Sequence, residues 1–242
     1  MTTVIDTHNV VKTYNEKTIP VYAVNGVHIH IERGEFTALV GPSGSGKTTV
    51  LNLIGGLDKP TSGYIEINGH NITKMKPGEL IDFRLHNIGF VFQSYNLIPV
   101  LTARENIEFI MLLQKVSKRD RENRVAELLN QIGLPDKGNV RPAELSGGQQ
   151  QRIAVARALA SKPQFVLADE PTANLDTVSA SKLLDIMEKL NIEQNMTFLF
   201  STHDQRVIDR AHRVITLQDG KVTSDVSGKE KIPTKVKLEH RS

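Results

Sequence analysis

One run of residues, Gly41-Pro42-Ser43-Gly44-Ser45-Gly46-Lys47-Thr48-Thr49, satisfies the spacing G-x-x-x-x-G-K-[ST]. It follows Phe36-Thr37-Ala38-Leu39-Val40, a nearly continuous apolar stretch of the kind covered on both faces in a parallel sheet. Glycines here let the backbone curl so that several N–H groups converge on phosphate oxygens, and a helix starting at the lysine adds its positive end. Lys47 then reaches the β- and γ-phosphates of a nucleotide, while Thr48 offers a hydroxyl to Mg²⁺. A Gly/Ser-rich loop can match this spacing by chance, but its place after a buried strand argues against that.

Two further apolar runs end in groups that could act on such a ligand. Phe165-Val166-Leu167-Ala168 leads into Asp169-Glu170. One carboxylate can hold the metal shell and its neighbour can orient or deprotonate an attacking water. Thr197-Phe198-Leu199-Phe200 leads into Ser201-Thr202-His203-Asp204, where an imidazole can hydrogen-bond the terminal phosphate. A fourth segment, Leu145-Ser146-Gly147-Gly148-Gln149, opens a helix reaching Ala160. Ser146 can cap that helix and the glycines leave N–H groups open, so it reads as a second phosphate site. Both sites serve one phosphate only if two chains meet head to tail.

The elements that position these groups read as an α/β fold. Val27, Ile29 and Ile31 alternate with His28, His30 and Glu32, which suits a strand with one wet face. The two histidines read as solvent-facing, since no further ligands cluster near them. Gly63 to Ile67 followed by Asn68-Gly69 reads as a strand and tight turn. Ala103 to Leu113 and Arg121 to Ile132 read as helices, the second with Val125, Leu128, Leu129 and Ile132 at helical spacing. A helical insert in an α/β core follows. Charged, apolar-poor residues from Gly228 to Ser242 read as a mobile tail.

Composition narrows the function classes. Of 242 residues, 39% are hydrophobic and 24% charged, enough for a folded core. Lys and Arg number 30 against 27 Asp and Glu, too even a balance to argue for nucleic-acid binding. Cysteine is absent, which excludes disulfides and thiolate metal sites. Apolar stretches such as Phe109 to Leu113 fall far short of the roughly 20 residues of a membrane span. Met1 to Asp6 lacks the pattern of a secretory signal, so any membrane role is expected to come through a partner.

Taken in order, these motifs resemble the nucleotide-binding domains of ATP-binding-cassette proteins over nearly the whole chain. The matching segments are Walker A (Gly41 to Thr49), the Q-loop Gln93, the signature (Leu145 to Gln149) and Walker B (Phe165 to Glu170). Asn174-Leu175-Asp176 matches the D-loop and His203 the switch histidine, and Tyr14 stands where the family places an aromatic ring against adenine. The resemblance implies a RecA-like P-loop NTPase core with an antiparallel β subdomain and an inserted α-helical subdomain. It implies one ATP-binding domain over residues 1–227, with the insert near 95–160. ATP and Mg²⁺ are the expected ligands. Tyr14, Gly41, Ser43, Gly44, Ser45, Gly46, Lys47, Thr48 and Thr49 are expected to bind nucleotide with Ser146, Gly147, Gly148 and Gln149. Thr48, Gln93 and Asp169 are expected around the metal, and Glu170, His203 and Gln93 in catalysis.

Gly55 to Gly63, Ile88 to Pro99 and Leu101 to Asn106 further resemble the lipoprotein-release and macrolide-efflux ATPases of the LolD and MacB type. That likeness implies an ATP-dependent homodimer, peripheral on the cytoplasmic face of the inner membrane and docked on an integral membrane permease. A relative of the cell-division FtsE proteins, signalling through a permease-like partner without transport, is the alternative. Long coiled coils, which chromosome-organising ATPases insert between Walker A and Walker B, do not separate Lys47 from Asp169.

Overall fold

The computed structural model describes residues 2–15 and 19–228; the predicted tail lies, from residue 229 on, outside them. In chain order the elements are β1 (Thr3–Tyr14), β2 (Val21–Val27), β3 (His30–Glu32), β4 (Phe36–Val40), α1 (Lys47–Ile54), β5 (Ser62–Ile67) and β6 (His70–Asn71). Next come α2 (Pro77–Asn87), β7 (Ile88–Val91), α3 (Ala103–Leu113), α4 (Lys118–Gln131), α5 (Gly147–Ala160), β8 (Phe165–Asp169) and α6 (Thr177–Gln194). The chain ends with β9 (Thr197–Thr202), α7 (Gln205–Ile208), β10 (Arg213–Gln218) and β11 (Lys221–Ser227). The described residues form two compact units: one before residue 74 together with 199–228, and the other 74–198.

In the first unit, β2, β1, β5 and β6 lie side by side, with β3 also pairing β1. Their described pairings are antiparallel. Asn68 (φ 48) and Gly69 (φ 76) both take left-handed backbone between β5 and β6, as the Asn-Gly pair predicts for a tight turn. Val27, Ile29 and Ile31 are buried as their alternation predicts, yet the strand is not continuous: it breaks at His28-Ile29. Thr7 sits opposite the break, and its hydroxyl accepts from the Ile29 N–H at 2.6 Å, replacing a ladder bond. Among the described residues no cluster of three or more His, Asp or Glu could hold a metal.

The same unit holds β4, buried at every position, parallel to β10 and next in order to β9. Phe36 of β4 packs on Phe200 of β9 with ring centroids 4.6 Å apart. Ala38 and Val40 meet Ile208, Ala211 and Val214, covering β4 with apolar side chains. Arg213 at the start of β10 donates to the His30 carbonyl at 2.6 Å and to the Asp225 carboxylate at 2.7 Å, fastening β3 and β11 to it. Hydrogen bonding to Asp225 raises the Arg213 pKa above its ordinary value, against the opposing effect of burial.

In the second unit β7 runs parallel to β8, Ile88 beside Phe165 through Val91 beside Ala168. Helices α3, α4 and α5 pack on one another. The Thr102 hydroxyl accepts from the Glu105 N–H while the Glu105 carboxylate accepts from the Thr102 N–H, a closed capping box that starts α3 where the sequence predicts. Helix α4 begins three residues earlier than predicted, at Lys118, because Ser117 caps it by accepting from Asp120 N–H. No helix among the described residues is long and apolar enough to cross a membrane.

Candidate active site

The glycine-rich run lies in the first unit, between β4 and α1. Gly46 is the N-cap of α1 at φ 101, and no side chain caps the helix. A Cβ at Gly46 would stand 2.1 Å from the Ala23 carbonyl oxygen, which only glycine avoids. The loop is braced from beneath, where the Ser45 carbonyl accepts from Gly220 N–H at 3.0 Å. Lys47 is 8% exposed and folds its ammonium back to donate to the carbonyls of Gly41 (2.8 Å) and Pro42 (3.0 Å). The Ser45 hydroxyl is buried and has no hydrogen-bond partner. An uncapped helix start, an orphaned hydroxyl and a buried ammonium above left-handed glycines together fit a bound polyphosphate. Ser43, Gly44 and Thr48 stand exposed in this run, while Thr49 is half-buried.

Tyr14, the last residue of β1, is also in this unit and is 38% exposed. Its phenol donates to the Asp58 carboxylate, in the loop after α1, at 2.7 Å. His203 follows β9 and is exposed. Its turn is fixed by Asp204, whose N–H donates to the Thr202 hydroxyl at 3.0 Å and whose carboxylate accepts from the Arg206 N–H at 2.9 Å.

The remaining groups lie in the second unit. Asp169 ends β8, and Glu170 turns into left-handed backbone at φ 45, strained for a residue with a Cβ. Ser146 caps α5 as predicted: its hydroxyl accepts from Gln149 N–H at 3.3 Å, and the Gln149 side chain accepts from Ser146 N–H at 2.9 Å. The start of α5 is therefore more closed than the sequence suggests.

Sequence reading missed what binds this unit into one block. Gln151 is fully buried on α5 and donates to the carbonyls of Pro171 (2.9 Å) and Phe92 (3.3 Å). Arg157 donates to the carbonyls of Tyr95 (2.9 Å) and Asn96, both in left-handed backbone. Asn174 donates through Nδ2 to the Gln93 carbonyl at 3.1 Å, and Tyr95 Oη donates to the Asn174 carbonyl at 3.4 Å. Residues 92–96, which include the exposed Gln93, are thus hydrogen-bonded both to helix α5 and to the Asn174 turn. Gln93 and Asn174 are legible in the sequence as motif residues, and Gln151 leaves a further signal, a polar residue spaced four before the apolar Val155.

Thr48, Gln93 and Asp169 offer a hydroxyl, an amide oxygen and a carboxylate, the hard oxygen donors that suit Mg²⁺ alongside substrate phosphates and water.

The family description "ABC transporter" matches residues 24–173. The lipoprotein-releasing system ATP-binding protein LolD of Legionella pneumophila is 43% identical over 90% of this chain and 96% of its own length. The macrolide export ATP-binding/permease protein MacB of Hyphomonas neptunium is 43% identical over 93% of this chain, which spans only 35% of that longer protein. A dimeric post-hydrolysis structure of the cassette MJ0796 of Methanocaldococcus jannaschii, bound to ADP and Pi, aligns with a TM-score of 0.85 at 42% identity. It covers 92% of this chain and 98% of that one. Matched across more than half its length by the family description, and nearly end to end with separate ATP-binding subunits, the chain belongs to the ABC transporter family as one of its ATP-binding ATPase cassettes.

Proposed function

We propose that two copies of this chain close head to tail around two ATP molecules and drive a membrane permease of the lipoprotein-release or macrolide-export kind. One observation carries the reading: a single chain holds two glycine-led helix starts, only one of which has a lysine. Its near full-length match to a lipoprotein-releasing ATP-binding protein supports the subgroup. With the permease as anchor, the ATPase lies peripherally on the cytoplasmic face of the membrane.

In this reading the N–H groups at the start of α1 and the Lys47 ammonium bind the β- and γ-phosphates, and Tyr14 receives the adenine ring. Lys47 exchanges its two loop carbonyls for phosphate oxygens. Ser146, Gly147, Gly148 and Gln149 of the second copy cover the γ-phosphate. Thr48, Gln93 and Asp169 would hold Mg²⁺, which when bound neutralises charge on the β- and γ-oxygens. Glu170 orients and deprotonates the attacking water, and His203 hydrogen-bonds the transferred phosphoryl group. Because the Gln93 segment is bonded to helix α5 and to Asn174, occupancy at the phosphate is felt in the helical region near 95–160, where the permease docks. Hydrolysis removes the charge joining the copies, and the dimer opens.

Glu170→Gln tests this directly. ATP binding should persist, turnover should fall by on the order of 10²–10⁴, and gel filtration should show a dimer only with ATP. A monomer in saturating ATP with undiminished hydrolysis would contradict the proposal.

A further inference from the structure

Tyr14 closes β1, and the backbone turns into left-handed geometry at Asn15 (φ 57), so the ladder alone leaves its ring little support. Side chains supply it. The Asp58 carboxylate, in the loop between α1 and β5, accepts from Tyr14 Oη at 2.7 Å through one oxygen. Its other oxygen accepts from Lys12 Nζ at 2.7 Å and from the Lys59 N–H at 2.7 Å. Lys12 lies two residues before Tyr14 on β1, and its ammonium also donates to the Lys59 carbonyl at 2.8 Å. That ammonium stands 4.9 Å from the centroid of the Tyr14 ring, a cation–π contact on one face.

The phenol is thus held at its oxygen by Asp58 while the Lys12 ammonium stands over one π-face. Burial, and then the bond to Asp58, raise the Tyr14 pKa. Burial would raise that of Asp58, but the bonds from Lys12 and Tyr14 outweigh it and lower it. The raised phenol and the lowered carboxyl keep the proton on Tyr14 Oη, so the phenol donates and the carboxylate accepts.

We infer that Asp58 and Lys12 are positioning residues for nucleotide recognition, holding the Tyr14 ring edge-fixed with one face taken and its opposite face presented to the base. The inference rests on Tyr14 as the adenine platform. It makes base affinity depend on two side chains that never touch the nucleotide, and it ties the platform to the loop after the phosphate-binding helix.

The test measures KM and kcat for ATP in Asp58→Asn, Lys12→Met and Tyr14→Ala, with inhibition by inorganic tripolyphosphate, which has no base, as the reference. Asp58→Asn and Lys12→Met should raise KM for ATP by roughly three- to tenfold, the scale of one lost side-chain hydrogen bond. They should leave kcat and the tripolyphosphate inhibition constant unchanged, add nothing in a Tyr14→Ala background, and be reversed for Lys12 by the Arg variant. Equal weakening of ATP and tripolyphosphate, or full additivity with Tyr14→Ala, would overturn the inference. If Tyr14→Ala weakens ATP selectively and Asp58→Asn does not, the positioning claim alone fails. If Tyr14→Ala itself spares ATP, the platform reading fails and the inference with it.

Discussion

The starts of α1 and α5 are both glycine-led, yet they rest in opposite states. Helix α1 has glycine at its N-cap and no side-chain cap. Helix α5 has Ser146 at its N-cap and a closed box with Gln149, so part of its demand is already met internally. In the proposed dimer the first would receive the phosphates within its own chain, while at the second the Ser146 hydroxyl, which accepts from Gln149 N–H, keeps its own O–H to donate to a phosphate oxygen of the other copy. The glycines differ in purpose too. Gly46 is needed for its backbone conformation, whereas Gly148 is helical and needed for space, its Cβ position lying 2.7 Å from Ser179 Cβ and Oγ.

Substituting those two glycines should separate the cases most strongly. Gly46→Ala combines left-handed strain with a clash against backbone and should destabilise by about 3 kcal/mol or more, beyond rescue by trimming any side chain. Gly148→Ala should cost about 1–3 kcal/mol, and Ser179→Gly should return most of it. Thermal melts of the single and double variants decide this, and a Gly148→Ala defect untouched by Ser179→Gly would break the comparison. Ser146→Ala comes next. Losing the cap should cost about 1 kcal/mol in the isolated chain, while ATP-driven dimerisation falls further than that loss explains; equal effects on both would make Ser146 merely a cap.

The smallest effect concerns acid. Asp176 caps α6 by accepting from Val178 and Ser179 N–H, both at 3.0 Å, and the bonding to Ser179 lowers its pKa. Its contribution to stability is therefore present above the ordinary carboxylate range and is lost as pH falls through the lowered value. Asp176→Asn should flatten that acid limb of the stability profile with little change at neutral pH. An unaltered limb would show that the cap does not titrate with folding.

Where a signal was local, the sequence carried it. Strand β4 and helix α3 begin and end where an unbroken apolar run and a Thr102–Glu105 cap put them, and Ser146 caps α5 as read. Strand β1 escaped notice because Asn9 takes left-handed backbone (φ 47) and register shifts interrupt its pairing, blurring the alternation. Helix α6 was legible, with Ala180, Leu183, Leu184, Met187 and Leu190 buried at helical spacing behind the Asp176 cap, but the motif before it drew the attention. The site divides in the same way. Its motif residues are contiguous and could be named, whereas the braces (Gln151 and Arg157 on carbonyls some 60 residues away, Asp58 beneath Tyr14) exist only once the chain has folded.

Mixing two inactive variants bears most directly on a pocket shared between protomers. Lys47→Ala removes the ammonium from one helix start, and Ser146→Arg blocks the other with a bulky cation. Each homodimer should lack ATPase activity, while the mixture should regain part of it, because every heterodimer then holds one pocket built from an intact lysine and an intact serine. A mixture as silent as its parents, with heterodimers demonstrably formed, would mean that both helix starts must be intact within the same chain.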